Sequence, residues 1–227
     1  MMYKYASMLA SAGAMLASLA AAPASAEQKE FTLDKGHAYI GFEIYHLGYS
    51  HTIGQFRDFD GSFLIDEEEP ENSKIAFTVK SASVDTNHVG RDNHIRNADY
   101  LNAMKFPEMK FVSTGVTMLT PTSGKLRGDF TMLGVTKPLT LDFHMGKDAP
   151  YPSYLPNYDE LRAVGFEASG QVLRLDYGMD FVGFVGSPTG LAIDIKANFD
   201  LVDCAGAPAT NVPCNWGRVP GFKGPNE

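Results

Sequence analysis

The sequence predicts an all-β protein, a meander of eight or nine antiparallel strands with one short helix that covers an opening or an edge of the sheet. Two observations lead to this fold class. Nearly every strand-like segment alternates apolar and polar residues, so each strand has one dry and one wet face, which excludes a parallel sheet buried on both sides. After residue 26, only residues 83–107 have a pattern that prefers a helix. Such a meander either closes into a barrel or folds over as a sandwich.

Four strand-like segments precede the helix, and the longer ones alternate with a period of two. In chain order they are residues 31–33, 37–46, 55–65 and 74–84. Two glycines interrupt the pattern in residues 47–54. The acidic sequence DEEEPEN, residues 66–72, predicts a solvated turn.

The helical stretch predicts two different faces. Asp92, Arg96 and Asp99 are spaced by four and three residues, so on a helix they form one charged face. The apolar face would consist of Ile95, Ala98, Leu101 and Met104. We expect Asp85 or Asn87 to cap the start and the pair Phe106-Pro107 to end the helix.

Five further strand-like segments follow the helix. In chain order they are residues 109–119, 125–132, 139–145, 164–172 and 191–201. In the first of them the inward side chain is either Phe111 or Val112. The sequence GVTKP, residues 134–138, predicts a tight hairpin connection, and the proline- and tyrosine-rich residues 148–160 predict a loop.

The first 26 residues predict a secretory signal peptide. Lys4 supplies the positive charge, residues 6–22 are small and apolar, and the sequence Ala-Ser-Ala at 24–26 offers a cleavage site after Ala26. The alternative is an uncleaved membrane anchor, but the run is alanine-rich and short for a membrane span. We therefore expect an exported protein.

Charge and cysteines narrow the function further. The chain carries a formal charge of −8, and removing the signal peptide also removes Lys4, so the mature chain is more acidic still. This charge argues against binding to nucleic acid. Cys204 and Cys214 lie in a tail of residues 204–227 rich in proline and glycine, and an oxidising compartment favours a disulfide between them. Two free thiols are the alternative.

The predicted inner face combines phenylalanines with small residues. The small ones are Ala38, Gly61, Gly128, Ala168, Gly170 and Ala197. Glycine inside a strand removes packing volume, so these positions mark either bends at the corners of a filled core or space for a ligand. The second interpretation predicts an apolar tunnel that suits a long apolar ligand.

Four motifs in order resemble the YceI-like family of periplasmic polyisoprenoid-binding proteins. They are His46-Leu47-Gly48-Tyr49-Ser50 with Gly54 and Phe56; Ser83-Val84-Asp85-Thr86-Asn87 with Arg91-Asp92, His94 and Arg96; Gly128-Asp129-Phe130-Thr131 with Gly134-Val135-Thr136-Lys137-Pro138; and Gly165-Phe166-Glu167-Ala168. The resemblance covers residues 31–201. It implies a lipocalin-like antiparallel barrel of about eight strands, here residues 27–203, in the periplasm. It also implies a lumen that holds an isoprenoid or similar lipid, no catalytic activity, and a possible homodimer.

Two features depart from the family pattern. Residues 180–190 (DFVGFVGSPTG) are unusually apolar, and the tail with its two cysteines is an extension. The apolar residues 181–185 (FVGFV) could contact a membrane surface, shield the mouth of the barrel, or pack as an ordinary loop.

The predicted site has an apolar lining and a polar end. The predicted lining residues are Phe42, Ile44, Phe56, Phe63, Phe77, Val79, Phe130, Phe143, Phe166, Gly170, Ile193 and Phe199. Within that set Phe56 is the least secure, because the alternation of its strand favours Phe59 and Phe63. The predicted head-group donors are His46, Arg91, His94 and Arg96. Alternatively, Arg91, Asp92 and Arg96 form an ion-pair network that only holds the helix to the barrel.

The sequence predicts no metal, no cofactor and no enzyme. His88 and His94 fall on different helix faces, and no cysteine or carboxylate spacing supports a metal site. No serine or cysteine has the setting of a catalytic nucleophile. The alternative to a lipid carrier is an interaction module with a filled barrel that docks on a membrane redox or stress-response partner. A third hypothesis is an enzyme that acts on the bound lipid and depends on His94.

Overall fold

The computed structural model describes residues 28–181 and 190–215. The predicted signal peptide, residues 182–185 of the apolar loop and the last twelve residues of the tail lie outside the described residues. The described chain contains one α-helix, α1 Val89–Arg96, and ten strands. The strands are β1 Lys29–His46, β2 Ser50–Phe56, β3 Phe59–Ile65, β4 Lys74–Lys80, β5 Val84–Asp85, β6 Glu108–Thr120, β7 Ser123–Met132, β8 Val135–Pro150, β9 Arg162–Leu173 and β10 Ala192–Val202.

The sheet closes on itself, because β1 pairs antiparallel with β10 as well as with β2 and β3. The order around the barrel is β1, β10, β9, β8, β7, β6, β4 and β3, and every pairing is antiparallel. The predicted eight-stranded antiparallel barrel with one helix is therefore confirmed, and the sandwich is excluded. Within the described residues, α1 is too short to cross a membrane.

Strand β1 is long enough to pair with two strands, one after the other, along the same edge. The start of β1 pairs with β3, and its residues from Ile40 onward pair with β2, so β2 and β3 follow one another along the same edge of β1. Residues 57–58 separate these two strands and bond to neighbouring backbone at Ser83 and Lys80. This interruption shifts the side-chain period, so Phe56 faces inward although it has the opposite parity to Phe63.

The stretch predicted as one helix over residues 83–107 contains a shorter helix. Before α1 it forms a 3-10 turn and the two residues of β5, and after Arg96 it continues as turns. The helix is capped by His88, whose side chain accepts a hydrogen bond from Arg91 N, so the predicted caps Asp85 and Asn87 are wrong. Because the helix ends early, the predicted faces are also incomplete.

The outcome for those faces differs by residue. Leu101 is buried as predicted, whereas Met104 is fully exposed. Asp92, assigned to an exposed charged face, is buried. In β6 the predicted ambiguity resolves in favour of Phe111, which is buried, while Val112 is exposed.

Aromatic and aliphatic side chains cover the glycines of the inner face. A Cβ at Gly128 would lie 2.4 Å from Phe111 Cζ, and a Cβ at Gly170 would lie 2.6 Å from Leu141 Cδ2. These glycines therefore make room for neighbouring side chains. The interpretation that they leave the lumen empty is wrong at these positions.

A loop and the tail pack on the outer wall of the barrel. β8 extends to Pro150, further than predicted, and residues 151–161 then form the loop. The predicted disulfide between Cys204 and Cys214 is confirmed. Near it, Val212 N donates to the carbonyl of Asn157, and Asn211 is fully buried, so the tail is fixed against the loop.

Candidate ligand-binding site

The lumen of the barrel contains two cavities arranged along its axis. The near chamber, at the end that carries α1, has a volume of about 220 Å³. The far chamber, towards the opposite end, has a volume of about 380 Å³. The residues that line both are Ile40, Val79, Phe130 and Ile195, and we call them the waist. The chambers thus adjoin at one apolar constriction.

The near chamber is built mainly from strands β1, β2, β7 and β10, with α1 above them. The predicted lining residues found here are Phe42, Ile44, Phe56, Val79, Phe130 and Ile193. The rings of Phe42 and Phe56 contact one another, with centroids 5.6 Å apart. Sequence reasoning missed Thr52, Met109, Met132 and Met179. The parity of Met109 and Met132 with Phe111 and Phe130 could have identified the first two methionines, but nothing in the sequence identifies Met179, which follows a 3-10 turn.

The far chamber is lined by a cluster of phenylalanines. The predicted residues found here are Phe63, Phe77, Val79, Phe130, Phe143, Phe166 and Phe199. Phe77 and Phe199 meet edge to face at 5.2 Å, and Phe166 stacks on Phe199 at 5.8 Å. Of the predicted lining residues, Gly170 lies in neither set, because Leu141 packs over it.

Three of the four predicted head-group donors line the near chamber, namely His46, Arg91 and His94. Arg96 does not, because its guanidinium donates to the backbone carbonyls of Ala82 and Val84. The structure therefore brings the first three donors to the chamber and leaves Arg96 outside it. Head-group binding itself stays a prediction.

The predicted ion-pair network on the helix has different partners. Asp92 accepts hydrogen bonds from Thr86 N at 2.8 Å and from Thr86 Oγ1, and Arg91 donates to Thr86 O at 2.7 Å. These groups bind the backbone that leads into α1. They fix the helix over the near chamber through hydrogen bonds to Thr86, and Arg96 binds backbone carbonyls, so the predicted ion-pair network of Arg91, Asp92 and Arg96 is wrong.

Three aromatic rings meet beside the near chamber. The ring of His94 lies 5.0 Å from that of Tyr100 and 5.6 Å from that of Phe181, and the last two are 5.5 Å apart. His94 is also bonded to Asp99, with Nε2 and Oδ2 2.9 Å apart. The group connects α1, the turn that follows it and the segment after β9.

A chain of ion pairs crosses the end of the far chamber. Arg162 binds Asp148 through two hydrogen bonds of 2.7 Å and also pairs with Glu67, which in turn pairs with Lys29. The hydrogen bonds from Arg162 hold the pKa of Asp148 below its usual range, and the bond to Lys29 does the same for Glu67. The far chamber therefore ends in charged side chains that are already paired.

A group that could hold a metal lies on the outer wall. Among the described residues, Asp34, His37 and Asp200 bring their ligand atoms within 4.8 Å of one another. Sequence reasoning considered other histidines and missed this group. Tyr151 Oη lies 3.0 Å from Asp34 Oδ2 and 3.2 Å from Asp200 Oδ2, and burial together with both carboxylates raises the pKa of Tyr151. The carboxylates of Asp34 and Asp200 are thus hydrogen-bonded to the hydroxyl of Tyr151, and this contact attaches the loop to the barrel wall.

Similarity to known proteins identifies the family of this chain. The family model described as YceI-like domain matches residues 31–201. The chain belongs to the YceI-like family. The UPF0312 protein of Photorhabdus laumondii is 44% identical to it over 172 residues, which span 73% of this chain and 82% of that protein.

Solved structures of YceI proteins share the fold. The crystal structure of the Campylobacter jejuni YceI protein is 30% identical, with a TM-score of 0.61 over 77% of this chain and 98% of that one. A structure described as a polyisoprenoid binding domain from Saccharophagus degradans superposes with a TM-score of 0.53 over 76% of this chain and 98% of that one. That domain is 9% identical, so the likeness shows the fold alone.

Proposed function

We propose that this YceI-like protein is a periplasmic carrier that holds a long apolar isoprenoid-type lipid along the barrel lumen. The observation that carries the proposal is the pair of adjoining chambers, whose lining is apolar except near the two ends. A flexible chain can extend through the waist from one chamber into the other. Burial stabilises such a chain by about 0.8 kcal/mol per CH₂ group, so the lining alone can supply most of the affinity.

One structural neighbour supports a lipid as the ligand. The Saccharophagus degradans domain with the same fold is described as polyisoprenoid-binding. We extend that ligand class to this chain because its lumen has the shape and the apolar lining that an isoprenoid requires. We propose binding without catalysis, since hydrocarbon side chains line the lumen except near its two ends.

The proposed periplasmic location rests on two features. The first 26 residues have the pattern of a signal peptide, and the disulfide between Cys204 and Cys214 suits an oxidising compartment. The cleavage after Ala26 and the homodimer remain predictions.

Exposed apolar side chains around the near chamber support lipid exchange at a membrane surface. Tyr49 is 86% exposed and Ile53 is 59% exposed on the β1–β2 hairpin, and Leu191 at the start of β10 is 52% exposed. The Gly190 N–H donates to the carbonyl of Tyr45, which places the hairpin and the start of β10 side by side. We propose that this rim makes transient contact with lipid.

Native mass spectrometry of protein purified without detergent tests the carrier. We expect a co-purified lipid mass in most molecules, and extraction would identify it. Protein without any bound mass that also fails to take up a polyprenol would contradict the carrier and favour the interaction module.

A pair of variants tests whether the lumen is the site. Ala168 lines the far chamber, and its neighbour Ser169 faces outward. Ala168→Trp should fill the chamber and abolish polyprenol uptake, whereas Ser169→Trp should leave uptake unchanged. Equal uptake by both variants would place the lipid outside the lumen.

A further inference from the structure

Arg174 is the largest side chain that the described chain buries completely. Its Nη2 donates to the carbonyl of Phe181 at 3.0 Å, but among the residues that the structure describes Nε and Nη1 have no hydrogen-bond partner. Within residues 28–181 and 190–215, no carboxylate forms an ion pair with it. A buried guanidinium with two unused donors is unfavourable, because it has lost water without gaining acceptors.

The segment that carries Arg174 borders the near chamber, although Arg174 itself is fully buried and is not among the lining residues. Arg174 comes two residues after Val172, which lines that chamber, and its carbonyl accepts a hydrogen bond from Met179 N, where Met179 lines it as well. Phe181, whose carbonyl Arg174 holds, packs on two further lining residues, His94 and Tyr100. The segment that carries Arg174 therefore forms part of the wall of the near chamber.

Charge is distributed unevenly between the two chambers. The lining of the near chamber contains Arg91 and two histidines but no aspartate or glutamate. The lining of the far chamber contains Asp66, Glu67 and Asp148 with one arginine, Arg162. An anionic group on a lipid would thus be favoured at the near end, because the one arginine that lines the far end is already bound to Asp148 and Glu67.

We propose that Arg174, together with Arg91, receives an anionic head group, a phosphate or a carboxylate, on the lipid of the proposed function. The inference rests on that function and adds a selectivity: anionic isoprenoids bind more tightly than neutral ones with the same chain. The head-group oxygens supply the acceptors that Nε and Nη1 lack. Both nitrogens are covered by protein in the ligand-free chain, so binding shifts the segment that ends at Phe181.

Two ligands that differ only in the head group test the selectivity. Delipidated protein is titrated with geranylgeranyl phosphate and with geranylgeraniol, which share a C20 chain. We expect the phosphate to bind at least about tenfold more tightly, as is usual for hydrogen bonds to charged groups. In Arg174→Met the preference should fall below about twofold, with the affinity for the alcohol unchanged.

Stability and a matched arginine separate a binding role from a structural one. If Arg174 serves a ligand, Arg174→Met should melt at the same temperature or higher, because the variant removes a buried charge without a partner. Arg127→Met, an exposed arginine on β7 outside both chambers, should keep the preference for the phosphate. A lower melting temperature of Arg174→Met with equal losses for both ligands would indicate a structural role and overturn the inference. Arg174→Lys, which keeps the charge, should retain part of the preference if the first variant does not fold.

The remaining outcomes are also decisive. Equal affinities in the wild type, or a preference that survives Arg174→Met, overturn the inference and leave the carrier intact. Failure of both ligands to bind overturns the carrier and the inference with it. Inorganic phosphate is the third probe: if it binds Arg174 as tightly as geranylgeranyl phosphate does, the site serves a free anion and the lipid head group is excluded.

Discussion

Side chains from neighbouring positions occupy the space above several inner-face glycines. The Phe42 ring covers Gly54, the Phe143 ring covers Gly124, and Gly128 lies beneath Phe111. In each case a ring takes the place that a Cβ would need. Because these glycines have no side chain, the rings can lie against the barrel wall. The lumen is therefore lined with aromatic residues and still contains two chambers.

Gly128→Ala tests this packing. The new Cβ would lie 2.4 Å from Phe111 Cζ and 2.6 Å from the carbonyl oxygen of Val112, so the ring or the backbone must move. We expect a loss of about 1–3 kcal/mol in the free energy of unfolding, measured by chemical denaturation. Gly146→Ala is the control. Its new Cβ would lie 3.8 Å from the nearest atom, a carbonyl oxygen, so we expect a smaller loss of unfolding free energy than in Gly128→Ala. Equal stability of the two variants would contradict the role of the ring at Gly128.

Composition alone could not decide whether these glycines mark empty or filled space. Alternation correctly placed Gly128 and Gly170 on the inner face, but the occupant of each position comes from another strand. Phe111 and Leu141 reach these glycines because of strand register and side-chain rotamers. Neither quantity can be read from the periodicity of a single segment.

At the scale of elements, the helical stretch shows what periodicity can and cannot predict. The helix exists and lies over the lumen, but it ends at Arg96, and the following turns include Asn102 with φ of +43°. The charged face was inferred from spacing, whereas Asp92 and Arg96 bind backbone groups of residues 82–86. Spacing does not reveal a partner on a neighbouring irregular segment.

The loop of residues 151–161 is attached to the barrel by a few polar and aromatic contacts. Tyr151 Oη bonds to both Asp34 and Asp200, which pair across β1 and β10, and its ring meets that of Tyr158 at 4.8 Å. Asp34 is fully buried, so the hydroxyl serves a carboxylate that water cannot reach.

Removing that hydroxyl should loosen the loop. In Tyr151→Phe, the carboxylates of Asp34 and Asp200 lose the group that lies between them, so we expect a loss of about 1–3 kcal/mol in unfolding free energy and faster amide hydrogen exchange in the loop. Tyr154, in the same loop, is 81% exposed, so Tyr154→Phe is the control and should change neither quantity. Unchanged exchange in Tyr151→Phe would show that the hydroxyl does not hold the loop.

At the scale of the whole molecule, the waist determines how much of a lipid the lumen can hold. Ile195 lines both chambers, while the next residue, Lys196, faces outward and pairs with Glu43. We expect a C10 isoprenoid to fit within one chamber and the longer C20 isoprenoid to extend through the waist into the other.

A narrower waist should therefore lower the affinity for long isoprenoids more than the affinity for short ones. We expect Ile195→Phe to weaken binding of geranylgeraniol by at least about tenfold, because part of its chain is left unburied, and to leave geraniol nearly unchanged. Lys196→Phe, which adds the same ring outside, should affect neither ligand. Equal weakening of both ligands by Ile195→Phe would mean that the chambers do not act as one lumen.

The architecture was predictable from the sequence to a large extent, and the site only in outline. Alternation placed Phe63, Phe77, Phe166 and Phe199 on the inner wall, because a two-residue period survives unless a strand is interrupted. The division into two chambers depends on how side chains meet across the barrel. The buried position of Arg174 depends on a turn after β9, and no local pattern distinguishes such an arginine from an exposed one.

The pairing of β1 with β10 also sets the order of folding events. The seam joins strands that lie near opposite ends of the chain, Thr32 facing Val202, so the cylinder cannot shut until the last strand has been synthesised. Contacts this distant in sequence form slowly, which leaves the nascent polypeptide unfolded for longer. The export that we propose would benefit from this delay, because a closed barrel is wider than an unfolded polypeptide.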